Sequence, residues 1–209
     1  MVKSFQMAHN LTLPDDAYIP PELIGLHRVT PEQFEQLCQD YSELRLELTS
    51  TGELIVMPGS GFETGRRNSY LNSQLETWAR ADGSGAACDS STVFVLPNGA
   101  RRMPDASWVK RESWDHLSAQ QRERFGPFCP DFVIELRSPT DRITNLRDKM
   151  VEYMENGTSL GWLIDPYERR VYIYEPDHEL LILENPETVH GDPLLPGFEL
   201  NLTEIWSVE

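Results

Sequence analysis

The stretch PDFVIELRSPTDRITNLRDKMVEYMENGTSLGWLID, residues 130–165, decides how this chain is read. Its opening, PDFVIELRS, is a short apolar run that suits a buried strand. The next segment places Ile143, Leu146, Met150 and Tyr153 on one stripe of a helix, with Gly157 as its C-terminal stop. LGWLID then supplies another strand. One residue breaks the apolar run: Glu135. A carboxylate in a central strand must be paired, metal-bound or at the sheet's rim, because burial penalises its charge. Alternation puts Asp131, Val133 and Glu135 on one face and Phe132, Ile134 and Leu136 on the other. On the helix, Lys149 lies about 60° from Leu146, on the shoulder of the apolar stripe. It either snorkels to solvent or leans over the strand joined to its helix by Ser138-Pro139-Thr140.

Working upstream, TPEQFEQLCQDY carries a helix start, with Thr30 as N-cap, Pro31 at the first helical position and Gln33 at the capping-box position. LRLELTSTGELIVM alternates on both sides of Thr51-Gly52, the pattern of a hairpin with one buried face. A second helix is predicted from near Glu63, with Tyr70, Leu71, Leu75 and Trp78 at helical spacing. There Glu63 is ordinarily a partner for the N-terminal dipole. ACDSST, TVFVL and ARRMPDASWV read as strands, and residues 112–129 as a partly helical insertion. Downstream come the strands RRVYIYE and ELLILEN, and a tail, PGFELNLTEIW, expected to cover a sheet edge. These elements predict an α/β (α+β) fold, a mixed β-sheet flanked by helices. It forms a single domain over residues 30–209, preceded by an irregular, proline-containing arm over residues 1–29.

Composition narrows the function classes. The 209 residues carry a net charge of −16, which argues against a surface coated in nucleic acid or anionic lipid. The acid excess is uneven: residues 61–149 hold 13 basic and 12 acidic side chains, whereas residues 150–209 hold 2 and 13. A locally basic groove therefore belongs in the middle third if anywhere. Only Lys3, Lys110 and Lys149 are lysines. The three cysteines form no C-x-x-C pair and are expected as buried thiols. No apolar run approaches the roughly 18 residues of a membrane span, and a soluble, cytoplasmic protein is expected.

Two Pro-Asp pairs, Pro104-Asp105 and Pro130-Asp131, lead directly into apolar strands, where aspartate has no propensity reason to be. A turn at the strand start is the simplest account. If their strands are neighbours, however, Asp105 and Glu135 could hold a hard divalent cation, leaving room for water and a substrate phosphate.

The run PDFVIELRSPTD followed by a helix lysine and YMENGTSLGWLIDPYERRVYIY, with GELIVMPGSGFETGRRNSYL and RRMPDASWV before it, resembles the Uma-two restriction endonuclease family of the PD-(D/E)XK nuclease superfamily. The resemblance covers roughly residues 30–202. It implies a restriction-endonuclease-like fold around a Mg2+ site, with Mn2+ as a substitute, and an endonuclease that hydrolyses DNA. Within it, Glu63 corresponds to the helix glutamate, Asp105 to the motif aspartate and Glu135 to the acidic residue of the E-x-K strand. The resemblance thus implies the metal set Glu63, Asp105 and Glu135. The strand lysine is absent: Arg137 stands there, and the role falls to Lys149 on the helix. Thr64 stands where the family often has histidine. Arg66, Arg67, Arg101, Arg102, Arg142 and Arg147 are candidates for phosphate contacts. A homodimer would suit duplex cleavage. The missing strand lysine and the acidic charge favour the alternative, a catalytically silent module of the same fold that binds DNA or protein.

Overall fold

Thr30 opens the first helix as the sequence predicts. Its hydroxyl accepts from the Gln33 amide (3.3 Å), and the Gln33 side chain accepts from the Thr30 N–H (2.8 Å), a reciprocal cap on α1 (Pro31–Asp40). The structure, a computed structural model, describes residue 23, residues 28–57 and residues 59–207. The expected N-terminal arm therefore lies outside the described residues except for Leu23, Arg28 and Val29. Of these, Leu23 and Val29 are buried with Phe34 against the first hairpin.

That hairpin is β1 (Arg45–Leu48) paired antiparallel with β2 (Leu54–Met57). After it come α2 (Phe62–Asp82), β3 (Gly85–Asp89), β4 (Phe94–Val95), β5 (Arg101–Arg102) and β6 (Ala106–Lys110). The predicted insertion contains two short helices, α3 (Arg111–Asp115) and α4 (Ala119–Arg122). Then follow β7 (Phe132–Leu136), α5 (Ile143–Glu155), β8 (Leu160–Asp165), β9 (Arg170–Tyr174) and β10 (Leu181–Glu184).

The strands divide between two main sheets rather than one. A four-stranded sheet runs β2-β1-β5-β4, and a six-stranded mixed sheet runs β10-β9-β8-β7-β6-β3. The division falls inside one predicted strand, ARRMPDASWV. Pro104 has no N–H to give to a ladder, so pairing lapses between β5 and β6 and the chain passes from one sheet to the other. In the larger sheet β7 and β8 are parallel, and α5 makes the crossover between them.

Strand β7 is buried on both faces. Phe132, Ile134 and Leu136 pack with Leu71 and Leu75 of α2, while Val133 packs with Met150 and Tyr153 of α5. Helix α5 lies close on β8: a Cβ at Gly161 would stand 2.5 Å from the Met150 Cε, so a larger residue there would have to displace the Met150 methyl.

The tail departs from expectation. It forms β12 (Glu199–Asn201), paired with the preceding β11 (Thr188–His190), and α6 (Thr203–Trp206), and covers a face of the sheet, not an edge. Phe198, Leu200, Leu202, Ile205 and Trp206 join the core beside α2, and Phe198 stacks on Trp162 (centroids 5.8 Å apart, planes at 9°). Burial against an apolar face removes more apolar surface from water than edge pairing does. Edge strand β10 keeps Leu181 and Ile182 exposed. The three cysteines are free, and each is partly buried where buried thiols were expected. Among the described residues, no helix is long and apolar enough to cross a membrane.

Candidate functional site

Where the chain passes between the sheets, Asp105 stands at the start of β6, beside the end of β7. Its Oδ2 accepts from the Leu136 N–H (2.9 Å) and its Oδ1 from the Asn68 side chain (3.1 Å), while Asn72 donates to its carbonyl (3.0 Å). Both asparagines come from the inner face of α2. Glu135, one residue before Leu136, points to the other side of β7, towards α5. There Lys149 Nζ lies 2.7 Å from its Oε1, and the Tyr153 hydroxyl donates to the same oxygen (3.1 Å). Lys149 thus leans over the strand, the second of the two orientations its position on the helix allows.

Lys149 has a second anionic partner that the sequence did not single out. Nζ lies 2.8 Å from Oε1 of Glu47 on β1. Read by alternation, Glu47 belongs to the polar face of a hairpin; in the fold it is buried. The smaller sheet brings that polar face against the seam. There the Met103 N–H donates to Glu47 Oε1 (2.8 Å), and Arg102 bridges Glu47 Oε2 (3.0 Å) and Glu152. Tyr153 was likewise legible only as a core position. A hydroxyl-bearing residue on the stripe next to Lys149 was the available signal.

Asp105, Glu135, Lys149 and Glu63 all line one cleft of about 580 Å3. Glu63 is at its rim, half exposed. Its Oε2 is held by Arg66 (3.3 Å), which also reaches Glu204 (3.4 Å) and the Ser207 carbonyl (3.0 Å). Among the described residues, no three histidine, cysteine, aspartate or glutamate side chains stand together as a metal cluster. Glu63 is therefore not gathered with Asp105 and Glu135 into a three-carboxylate set. Asp131 lies at the opposite end of β7, where it accepts from the Lys110 N–H (2.9 Å), a strand-start role.

The carboxyl groups are not equivalent. Burial, with the nearby negative charges of Asp105 and Glu47, pushes the Glu135 carboxyl up to about 7 against the pull of Lys149. Burial also raises Asp105, opposed by the Leu136 N–H and by Lys149. Burial acts on Glu47 in the same sense, but Lys149 and Arg102 together overcome it and hold Glu47 below its ordinary value. Lys149 is raised despite its burial, by Glu135 and Glu47. It is a fixed cation at neutral pH.

Several arginines expected at phosphates are otherwise engaged. Arg66 is tied to Glu63 and Glu204, Arg102 to Glu47 and Glu152, and Arg101 donates to the Gly99 carbonyl. Arg147 lies over the Tyr172 ring (5.1 Å). Arg137 does not occupy the place of the missing strand lysine: it pairs with buried Asp165 (2.7 Å) and lies over the Tyr167 ring (5.6 Å). The Arg137 N–H still donates to the Ile164 carbonyl (2.9 Å), continuing the pairing with β8, so Asp165 at the end of β8 claims the guanidinium.

A structure from Anabaena variabilis ATCC 29413, described as a putative nuclease belonging to DUF820, superposes with a TM-score of 0.67 at 21% identity. The match covers 78% of this chain and 90% of that one. No curated protein matches the sequence. The family model described as "Putative restriction endonuclease" matches residues 31–203, from the first helix to the start of the last. With that span matched and the fold shared, the chain belongs to the Uma2 restriction endonuclease family.

Proposed function

We propose that the protein is a metal-dependent nuclease that hydrolyses DNA phosphodiester bonds, with Asp105 and Glu135 as metal ligands and Lys149 as the cation beside the scissile phosphate. The reading is carried by one observation: Lys149 Nζ touches Glu135 (2.7 Å) where Asp105 opens onto the same cleft. The donor set fits a hard cation. Burial raises both carboxyl groups, and the negative charges of Asp105 and Glu47 raise Glu135 further, which is the electrostatic condition a divalent ion relieves. Magnesium is commonly held by one or two carboxylates together with waters and substrate phosphate oxygens, so a third carboxylate is not needed. A bound Mg2+ or Mn2+ would supply Lewis acidity and a water of lowered pKa.

The chain's own residues divide the remaining work. Asn68 and the Leu136 N–H orient Asp105. Tyr153 and Lys149 both use Oε1 of Glu135, which leaves Oε2 for a ligand. Glu47 and the Met103 carbonyl (3.4 Å) hold the Lys149 ammonium in place, where its positive charge offsets charge developing on a phosphate. Lys149 keeps its proton, so it acts as a charge and not as a base. Glu63, at the rim, acts through water rather than as a direct ligand. A symmetric pair of chains would address the two strands of a duplex.

The silent-module alternative draws on one feature, the sharing of the single Lys149 charge between two carboxylates. Incubation of supercoiled plasmid and short duplexes with Mg2+ or Mn2+ decides between them. Divalent-dependent cleavage lost in both Asp105→Asn and Glu135→Gln is expected. DNA binding without cleavage under any divalent metal would establish the silent module instead.

A further inference from the structure

Two cations line the cleft, and Lys149 is compensated twice over by carboxylates. The other is Arg45, from β1. Its Nη2 donates to the Ser90 carbonyl (2.8 Å), which orients the guanidinium without neutralising it. Among the described residues it makes no direct ion pair, although its charge acts at longer range on Asp89 and Asp105, and its buried Nε has no hydrogen-bond partner. An oriented arginine with no anion in direct contact and an unused Nε beside a polar cleft can receive one, and its planar fork suits a phosphate.

At the mouth of the same cleft stands Phe62, the first residue of α2. It is 84% exposed, more than any other large apolar side chain described. No core contact accounts for a phenylalanine there. Its surroundings are bare: Gly59, Gly61 and Gly65 have no atom within 4 Å of where a Cβ would stand, and none has a positive φ. Neither packing nor backbone conformation therefore requires glycine at these three positions. The bare backbone there leaves room for a ligand to approach closely. Phe62 also borders a shallow groove along α2 whose floor includes Gly65, Ser69 and Ser73.

The geometry points to a nucleotide subsite beside the carboxylates, in which Arg45 takes a backbone phosphate and Phe62 stacks on the adjoining unpaired base. The inference rests on the nucleic-acid reading of the cleft and narrows it. A lone exposed ring needs a free base face, which single strands, frayed ends and flaps offer and an intact duplex does not.

The test is fluorescence anisotropy of the full chain with Ca2+ replacing Mg2+, using a short single-stranded DNA, a strand of equal length carrying abasic sites, and the matching duplex. Wild type should bind the base-carrying strand at least about fivefold tighter than the abasic strand. Phe62→Ala should erase that preference and Phe62→Trp should keep it. Because Phe62 is exposed, both variants should melt as wild type does. Arg45→Ala should weaken both strands equally and lower the salt slope by about 0.7, the loss of one phosphate contact to a single strand. Equal binding of the two strands by wild type, or a preference that survives Phe62→Ala, overturns the subsite. If cleavage with Mg2+ persists in that case, the nuclease reading stands without it. Base preference without cleavage under any metal keeps the subsite and removes the nuclease, and failure to bind any of the three DNAs removes both.

Discussion

Oε1 of Glu47 lies 2.8 Å from Nζ of Lys149, so a residue of the first hairpin and a residue of the crossover helix share one buried ion pair across the seam between two sheets. The pair is linked on one side to Glu135 and on the other to Arg102 and Glu152. It joins the smaller sheet to the cleft, and its members cannot be altered independently.

Glu47→Gln removes the shared charge and leaves Lys149 with Glu135 alone. Breaking a buried pair costs about 3–5 kcal/mol. Arg102 retains Glu152, so the lower end is expected, a fall in Tm of about 6–12 °C for a chain of this size. Thermal unfolding checks it. A Tm within a degree of wild type would mean that the pair contributes no net stability.

Lys149→Ala leaves Glu47, Asp105 and Glu135 around a gap without a cation. Like charges then repel in the metal-free protein. The variant should be less stable than wild type without metal and should gain more Tm from Mg2+ than wild type does, while cleaving no DNA. A smaller gain than in wild type would place the metal away from these carboxylates.

Metal affinity should depend on pH through Glu135. A proton and a metal ion compete for the carboxyl, which titrates at about 7. Affinity should therefore be about tenfold weaker at pH 6 than at its plateau above pH 8. Stability without metal runs the opposite way. The folded chain holds this proton more tightly than the unfolded chain, so stability from this group falls as pH rises from its ordinary value, 4.5, through about 7. Glu47, held low, gives the opposite slope: its contribution is present above 4.5 and is lost as pH falls below that value. Titration calorimetry with Mn2+ across pH 6–8 reads the first effect, and Glu135→Gln should abolish it.

Arg137→Ala should separate stability from catalysis. The side chain serves buried Asp165, which keeps the Tyr167 and Glu168 N–H donors (3.0 and 3.2 Å). A loss of about 1–3 kcal/mol in denaturant unfolding is expected, with cleavage within a few-fold of wild type. Loss of cleavage as complete as in Lys149→Ala would restore Arg137 as the substitute for the strand lysine.

What the sequence by itself determined was everything governed by neighbours along the chain. The Thr30 cap, the hairpin about Thr51-Gly52, the strand around Glu135 and the stripe of α5 follow from side-chain period and capping chemistry, which act over a few residues. The anomaly of Glu135 was visible for the same reason, since a carboxylate in an apolar run needs a partner wherever that partner comes from. Which partner it finds depends on tertiary structure. Glu47 looks like any polar residue of an alternating strand until Pro104 interrupts the pairing of its segment and sends the chain to a second sheet. The polar face of the hairpin is then buried against the seam. Arg137 looks like a candidate cation until buried Asp165, at the end of the neighbouring strand, claims its guanidinium. The tail looks like a cover for a sheet edge until Phe198 is found stacked on Trp162. Local pattern sets the period and the caps; non-local packing decides which face is buried and which charges must be paired.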